Sequence, residues 1–427
     1  MKFFSLGKNN IDCILDEVRK VSDSDTELDK MIFNIIQDVK KKGDEALIEY
    51  TKQFDVVSLK QQFFRISDAE ARKAYDKVSE KEIHALNTLK SNIETVEQKT
   101  LDRLCISFRI NGFSVRQITK PLESIGCYIP GGKASYPSTL LMTAVPAKVA
   151  GVNRIVVVTP PSKITPLLLV AADIAGVSEI YRIGGVQAIA ALAYGTETIK
   201  PVDKVIGPGN AYVTRAKTIV SRDIQVDMPA GPTEIIIYAD DKSDPRSIAL
   251  DMISQAEHGP DSICGLITCS SELAEKVMSE VSILVKSVDR KEIVVSALDD
   301  KGFVLVADSK DTVVNFVNRF APEHFEVISE NFNSIIAKIK NVGLIIVNSP
   351  SVLTDYYVGV NHVLPTNRYA MYRGGLTVVD FVKLIRIVIA SKSGVIRSFP
   401  TVEALALNEG LINHMKSVEY MVKNYEI

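Results

Sequence analysis

The chain has only five histidines in 427 residues, and four of them stand in local sequences that could do chemistry. In "SQAEHGPDS", Gln255 and His258 lie three apart at the end of a helical pattern that Gly259 and Pro260 stop. Side chains three apart on a helix share a face, so an amide oxygen and an imidazole nitrogen point the same way. "LTDYYVGVNHVLPT" adds Asp355 and His362, and "NEGLINHMK" adds Glu409 and His414. Gln255, His258, Asp355 and His414 would make a mixed nitrogen and oxygen donor set. Such a set suits zinc with room for exogenous ligands, or manganese, and differs from a closed thiolate site. His362 would border substrate or stand behind the ligands. In "APEHFEV", Glu323 and His324 are adjacent. A carboxylate beside an imidazole is a natural couple for moving protons near neutral pH. Neighbouring side chains diverge in regular backbone, so the pair needs an irregular entry, which Pro322 allows. The ordinary alternative is a loop ion pair. His84, beside the apolar stripe of a charged helix, reads as a surface residue.

These residues need elements to hold them. Residues 1–100 read as helical: Met31, Ile32, Ile35, Ile36 and Val39 form one stripe, and Ile83, Leu86, Leu89, Ile93 and Val96 another. "SDSD", from Ser22 to Asp25, supplies capping candidates. "FRINGFSVRQI" predicts a hairpin around Asn111-Gly112. From about 123 to 240, short apolar runs such as "RIVVVTP" and "TEIIIYAD" alternate with helical ones. That alternation predicts a parallel, doubly wound sheet. Residues 241–350 continue in α/β style, with strands expected at "SICGLITCS", "IVVSA", "FVLVA" and "VGLIIVN". The last 55 or so residues read as helices without a sheet, packing on a partner chain or on their own domain.

Three glycine clusters, "YIPGGKASYPST", "RIGGVQAIAAL" and "VIGPGNAYV", each end a strand and open a helix. Ligands of open α/β sheets sit at such ends, where backbone N–H groups and the helix dipole favour a phosphate. Turns need glycine anyway, and none of the three is G-x-G-x-x-G, so a nucleotide-like ligand is expected without a dinucleotide fingerprint. Lys+Arg 50 against Asp+Glu 52 gives no reason to expect a nucleic-acid or anionic-membrane partner. Five scattered cysteines without C-x-x-C argue against disulfides and thiolate zinc. No apolar run approaches about 18 residues, and the N-terminal stretch is too charged for a secretory signal. A soluble protein of a reducing compartment is expected.

The strings "GCYIPGGKASYPST", "GGVQAIAALAYGTE", "DKVIGPGNAYVTRAK", "DMPAGPTE", "SQAEHGPDS", "RFAPEHFE", "NHVLPT" and "NEGLINH", in that order, resemble the histidinol dehydrogenase family. The match spans about 120 to 414. The resemblance implies a cytoplasmic, zinc-dependent, NAD-linked enzyme that oxidises L-histidinol through L-histidinal to L-histidine, with two NAD per substrate. It implies a homodimer with interlocking arms. By motif, zinc ligands fall on Gln255, His258, Asp355 and His414, the last supplied across the dimer interface. Proton transfer falls on Glu323 and His324. Substrate contacts fall on Thr233, His362 and Glu409 beside those residues, and nucleotide contacts on Tyr128, Gln187 and Asn210. One departure is that Tyr357 and Val358 stand where the family carries small residues.

The fold expected is α/β, with two doubly wound, incomplete Rossmann-like parallel-sheet domains and helical N- and C-terminal arms. Residues 1–22 would be the N-terminal arm, and 23–122 with 238–370 the first α/β domain. Residues 123–237 would be the nucleotide-binding domain and 371–427 a helical dimerisation arm. The competing function is a metal-dependent hydrolase or aldolase using the same donor set and Glu-His pair. It would not need ligand-like glycine turns.

Overall fold

Several strands of this chain, RIVVVT and EIIIYA among them, are rich in β-branched residues, and the computed structural model describes residues 1–19, 26–131, 136–228 and 231–425. In chain order the strands are β1 (Lys2–Leu6), β2 (Ile106–Ile110), β3 (Phe113–Pro121), β4 (Ser124–Tyr128), β5 (Arg154–Thr159), β6 (Glu179–Arg182) and β7 (Lys204–Ile206). They continue with β8 (Gln225–Val226), β9 (Glu234–Ala239), β10 (Ile263–Thr268), β11 (Phe303–Ala307), β12 (His324–Ile328), β13 (Leu344–Val347) and β14 (Val382–Ala390). The capping candidates Ser22 to Asp25 lie outside the described residues, as do Gly132 to Ser135 and Pro229-Ala230.

One parallel sheet has the order β6-β5-β4-β7-β8. Parallel neighbours need crossover helices, which then cover both faces. Alternate residues of β5 therefore feed two cores: Ile155 and Val157 enter one, Val156 and Val158 the other. The helix Pro137–Ala150 is buried almost all round, because Leu86, Leu89 and Ile93 of the helix Glu80–Leu101 share its core. Ile32, Ile35, Ile36 and Val39 of the helix Thr26–Lys42 cover the opposite face with Tyr128 and Val156. The N-terminal helices thus belong to the sheet of β4, and not, as expected for 23–122, to the domain of the other sheet. Both stripes were legible as amphipathic; which sheet they cover is a tertiary choice.

The other parallel sheet has the order β1-β11-β10-β9-β12-β13. All of β9 pairs in it, so the change of sheet falls before Glu234 and not at 237/238. β1 pairs with β11, and Ile11, Ile14 and Val18 of the helix Ile11–Arg19 share a core with Val313, Phe316 and Val317. The expected N-terminal arm is therefore an edge of this sheet. "IVVSA", expected as a strand, lies in the helix Lys291–Asp300, because Val294, Ala297 and Leu298 bury one face at helical spacing.

The hairpin β2–β3 turns at Asn111 and Gly112, both at positive φ (50° and 88°), as a two-residue turn of this hand requires. β14 then runs antiparallel along the whole of β3, from Val382 opposite Pro121 to Ala390 opposite Phe113. The expectation of a tail without a sheet is therefore corrected. "VKLIRIVIA" is rich in β-branched residues and finds its partner more than 260 positions away. The helices Lys392–Asn408 and Ile412–Tyr425 follow and pack on each other. Among the described residues no helix is long and apolar enough to cross a membrane.

The short helical turn Val378–Phe381 is tied to the helix Glu80–Leu101 by a buried acid. Glu97 is 2% exposed, and its Oε2 accepts the Val378 N–H at 2.7 Å. Burial pushes its carboxyl up to about 7, against that hydrogen bond and with help from Asp380. A raised acid binds its proton more tightly when folded, so its stabilisation is complete below about pH 4.5. It declines as pH rises towards 7 and is lost above. Glu97→Gln should remove roughly 3 kcal/mol of the fall in stability between pH 4.5 and 8. Urea unfolding at both pH values measures this; an unchanged slope would contradict it.

Candidate active site

Each parallel sheet reverses its winding direction once, between β4 and β7 in one and between β9 and β12 in the other. The candidate acid–base residues lie at the amino ends of β9 and β12. Glu323 precedes β12, and its Oε2 accepts the backbone N–H of Glu234 at 2.9 Å. The same oxygen is 3.6 Å from His324 Nδ1. Ala321 is left-handed (φ 51°), and Pro322 follows it. This irregular backbone lets two adjacent side chains converge. His324 is buried, and neither ring nitrogen has a hydrogen-bond partner. Burial alone would lower its pKa, but Glu323 and Asp355 outweigh burial and raise it.

The helix Pro245–Ala256 leaves the carboxyl end of β9 side and returns to the amino ends. Asp244 caps it, accepting from Ser247 N at 3.0 Å, and Pro245 fits its first turn. Gln255 and His258 stand at its far end. Gln255 is 1% exposed and donates from Nε2 to Ser351 Oγ at 3.0 Å. Ser351 opens the short helix Val352–Tyr356, which carries Asp355. Asp355 Oδ1 is 3.3 Å from His362 Nδ1. Burial raises the Asp355 carboxyl, but His362, His324 and His258 together hold it below its ordinary value. His258 is exposed as a residue, yet desolvation by the surrounding atoms lowers its pKa against the pull of Asp355 and Glu323. Thr233 immediately precedes Glu234, and its carbonyl accepts from Ile263 N at 2.9 Å. Gln255, His258, Asp355, His362, Glu323, His324 and Thr233, from separate segments, are thus brought to one region.

Tyr357 and Val358, the bulky departures, are 60% and 44% exposed. Asn92 Nδ2 donates to Tyr357 O at 2.6 Å, and Gly359 packs against the Asn92 backbone at positive φ. The loop is therefore anchored by its backbone while these two side chains project outward. His84 is exposed.

Several buried groups escaped the sequence reading. Glu234 opens the apolar run "EIIIYA"; burial pushes it up to about 7, against the nearby Arg19. Glu326 sits within "HFEVI", and burial beside Asp251 pushes it up to about 10. Acids inside apolar strand runs were the available signal. Nothing local marked Ser351 or Thr139.

The candidate nucleotide residues occupy the other sheet. Tyr128 ends β4, and its hydroxyl accepts from Gly185 N at 3.2 Å. Burial pushes that hydroxyl up to about 12. Gly207 (φ 114°) follows β7 so closely that a Cβ would lie 2.2 Å from Tyr128 O. Gln187 is fully buried, and neither amide atom has a partner. Asn210 Oδ1 accepts from Val213 N at 3.1 Å, so that atom serves as a helix cap. A Cβ on Gly131 or Gly184 would lie 2.5 or 2.4 Å from Pro160 Cγ. Part of the demand for glycine in these turns is therefore loop-to-loop packing. A buried ion pair, Lys217 with Asp227, holds the turn after β7: Lys217 Nζ donates to Gly207 O at 2.8 Å and Gly207 N donates to Asp227 at 2.8 Å.

The two groups meet. Thr139, on the helix after β4, has its Oγ1 3.2 Å from His362 Nε2, and Asn361 Nδ2 donates to Met142 O at 2.6 Å. Carboxyl ends of one sheet therefore face amino ends of the other.

Glu409 and His414 are not brought to this region within one chain. Both are exposed, and the helix of His414 packs chiefly on its neighbour Lys392–Asn408. Among the described residues, no group of three or more His, Cys, Asp or Glu side chains is set to hold a metal ion. The four-donor set expected from the sequence is thus incomplete in a single chain.

Comparisons with known proteins place this arrangement. The family model described as histidinol dehydrogenase matches residues 18–422. A histidinol dehydrogenase of Methanopyrus kandleri is 44% identical over 415 residues, covering 95% of this chain and 96% of that one. That of Bacillus subtilis is 40% identical, covering 94% and 95%. The crystal structure of histidinol dehydrogenase from Elizabethkingia anophelis superposes with a TM-score of 0.95 at 34% identity, covering 100% of this chain and 99% of that one. The winding of both sheets and these matches together establish that the chain belongs to the histidinol dehydrogenase family and is an oxidoreductase of that type.

Proposed function

We propose that the protein oxidises L-histidinol through L-histidinal to L-histidine, with zinc and two NAD per substrate, in the cytoplasm. The observation that carries this reading is that the region of Glu323 and His324 meets, through the contact of His362 with Thr139, the edge of a doubly wound sheet that carries the glycine turns. A dinucleotide fits that edge on one specific ground: Gln187 is buried with both amide atoms unpaired, which a ligand would satisfy. Zinc fits the donor chemistry of Gln255, His258 and Asp355, with His414 as the fourth donor from a second copy. When bound, the cation would template the substrate's nitrogens and the dinucleotide would accept hydride.

The chain's own residues supply the proton chemistry. With Nδ1 turned towards Glu323, His324 takes the carbinol proton at Nε2 as hydride departs. Its raised pKa favours holding that proton. Glu323 takes a proton from the water that adds to the aldehyde while His324 returns its proton to the former carbonyl oxygen. Glu323 passes its proton to solvent, and the neutral His324 accepts again as the second hydride leaves the hydrate. Thr233 and His362 would border the substrate.

A second copy is supported by unpaired apolar surface. Ile106, Phe108, Ile110, Leu384, Val388 and Ile389 on the antiparallel sheet are 46–63% exposed in one chain. With interlocked arms, Glu409 and His414 would enter the neighbouring site. The hydrolase or aldolase reading has no use for the facing glycine-turn sheet.

Purified protein with zinc, NAD and L-histidinol should form two NADH per histidinol consumed, read at 340 nm; no NADH would refute the reading. Glu323→Gln and His324→Asn should each lower turnover by about 10²–10⁴-fold while zinc content stays near that of the unaltered protein. Co-refolding Glu323→Gln with His414→Asn should restore activity in heterodimers, since one of the two sites then has all its groups. No recovery would count against sharing.

A further inference from the structure

A glutamine amide can turn either end towards a ligand, and only its oxygen can serve a divalent cation. In this chain the choice is made behind Gln255. Ser351 N donates to Asp251 Oδ2 at 3.1 Å, and Ser351 Oγ lies 2.7 Å from Asp251 Oδ1. Asp251 is on the same helix as Gln255, one turn earlier, and is 6% exposed. Ser254 Oγ also approaches Asp251 Oδ1, at 3.3 Å. A carboxylate ringed by these donors only accepts, so the single hydroxyl hydrogen of Ser351 goes to Asp251. Ser351 Oγ then has only lone pairs left for its neighbour at 3.0 Å, which must be the NH₂ end of Gln255. Reversing the amide would set two oxygens lone pair to lone pair in a site where Gln255 and Ser351 are each 1% exposed and no water can relieve the clash.

We infer that Ser351, oriented by Asp251, is a positioning residue that fixes the direction of the Gln255 amide and so reserves Oε1 as the oxygen donor to the cation. The relay also ties two donors together. Ser351 is four residues before Asp355, at the start of the same short helix, so one hydroxyl joins the helix end of Gln255 to the segment of Asp355. This inference rests on the proposed zinc site.

The test is a double-mutant cycle on zinc affinity, by competition with a chromogenic chelator on the full-length protein. Ser351→Ala should weaken zinc by about 10-fold or more, and Ser351→Thr, which keeps the hydroxyl, should restore most of it. In a Gln255→Ala background, Ser351→Ala should cost almost nothing further, because there is no amide left to orient. An equal loss in both backgrounds, or no loss from Ser351→Ala alone, would overturn the relay. If Gln255→Ala itself leaves zinc affinity unchanged, the zinc site is wrong. Thermal unfolding of the zinc-free variants separates simple misfolding: Ser351→Ala and Ser351→Thr should melt within a few degrees of each other while differing in zinc affinity.

Discussion

Parallel strands give a sheet two chemically different ends, and this fold is organised by setting the carboxyl ends of one sheet against the amino ends of another. The glycine turns around Tyr128 and Gly207 occupy the first edge, and Glu323, His324 and Thr233 the second. Contacts such as Thr139 with His362 and Asn361 with Met142 hold the edges together. Neither edge alone carries both the glycine turns and the Glu323–His324 pair, and the oxidation proposed above would draw on both.

The polar groups at this junction are buried, and burial decides their character. Glu234 and Glu326 are pushed towards the neutral form, whereas Asp355 is held ionised by three imidazoles. His324 rises because two carboxylates outweigh its desolvation. Similar side chains in one region are thereby given different protonation tendencies. The buried Lys217–Asp227 pair and Glu97 do structural work at a distance, one closing the turn after β7 and the other anchoring Val378. Removing one partner of such a pair would leave an uncompensated buried charge, at a cost of about 3–5 kcal/mol.

The antiparallel sheet and its two helices explain why one chain looks unfinished. β14 commits nine residues to β3, yet leaves apolar side chains exposed, and the helices beyond it carry Glu409 and His414 away from Gln255, His258 and Asp355. A surface of that kind is the ordinary signature of an interface. His414, the donor that the proposed zinc site would take from a second copy, lies on that same arm.

Much of this fold is readable in the amino-acid sequence. The alternation of "RIVVVTP"-like runs with helices determined two parallel sheets, because only strands buried on both faces can be continuously apolar. The Asn111-Gly112 turn and the end of the helix at Gly259-Pro260 followed from backbone chemistry. The candidate site residues stand out in the sequence as scarce histidines, with their polar neighbours, in motif-like strings. What the sequence could not decide was long-range: which sheet the helices of residues 26–101 would cover, that β9 would join the six-stranded sheet, and that "VKLIRIVIA" would pair with β3. Local propensity is indifferent to such choices, since the same stripe or strand satisfies either partner, and only packing selects one. The same holds for Ser351, an ordinary serine until folding places it between Asp251 and Gln255.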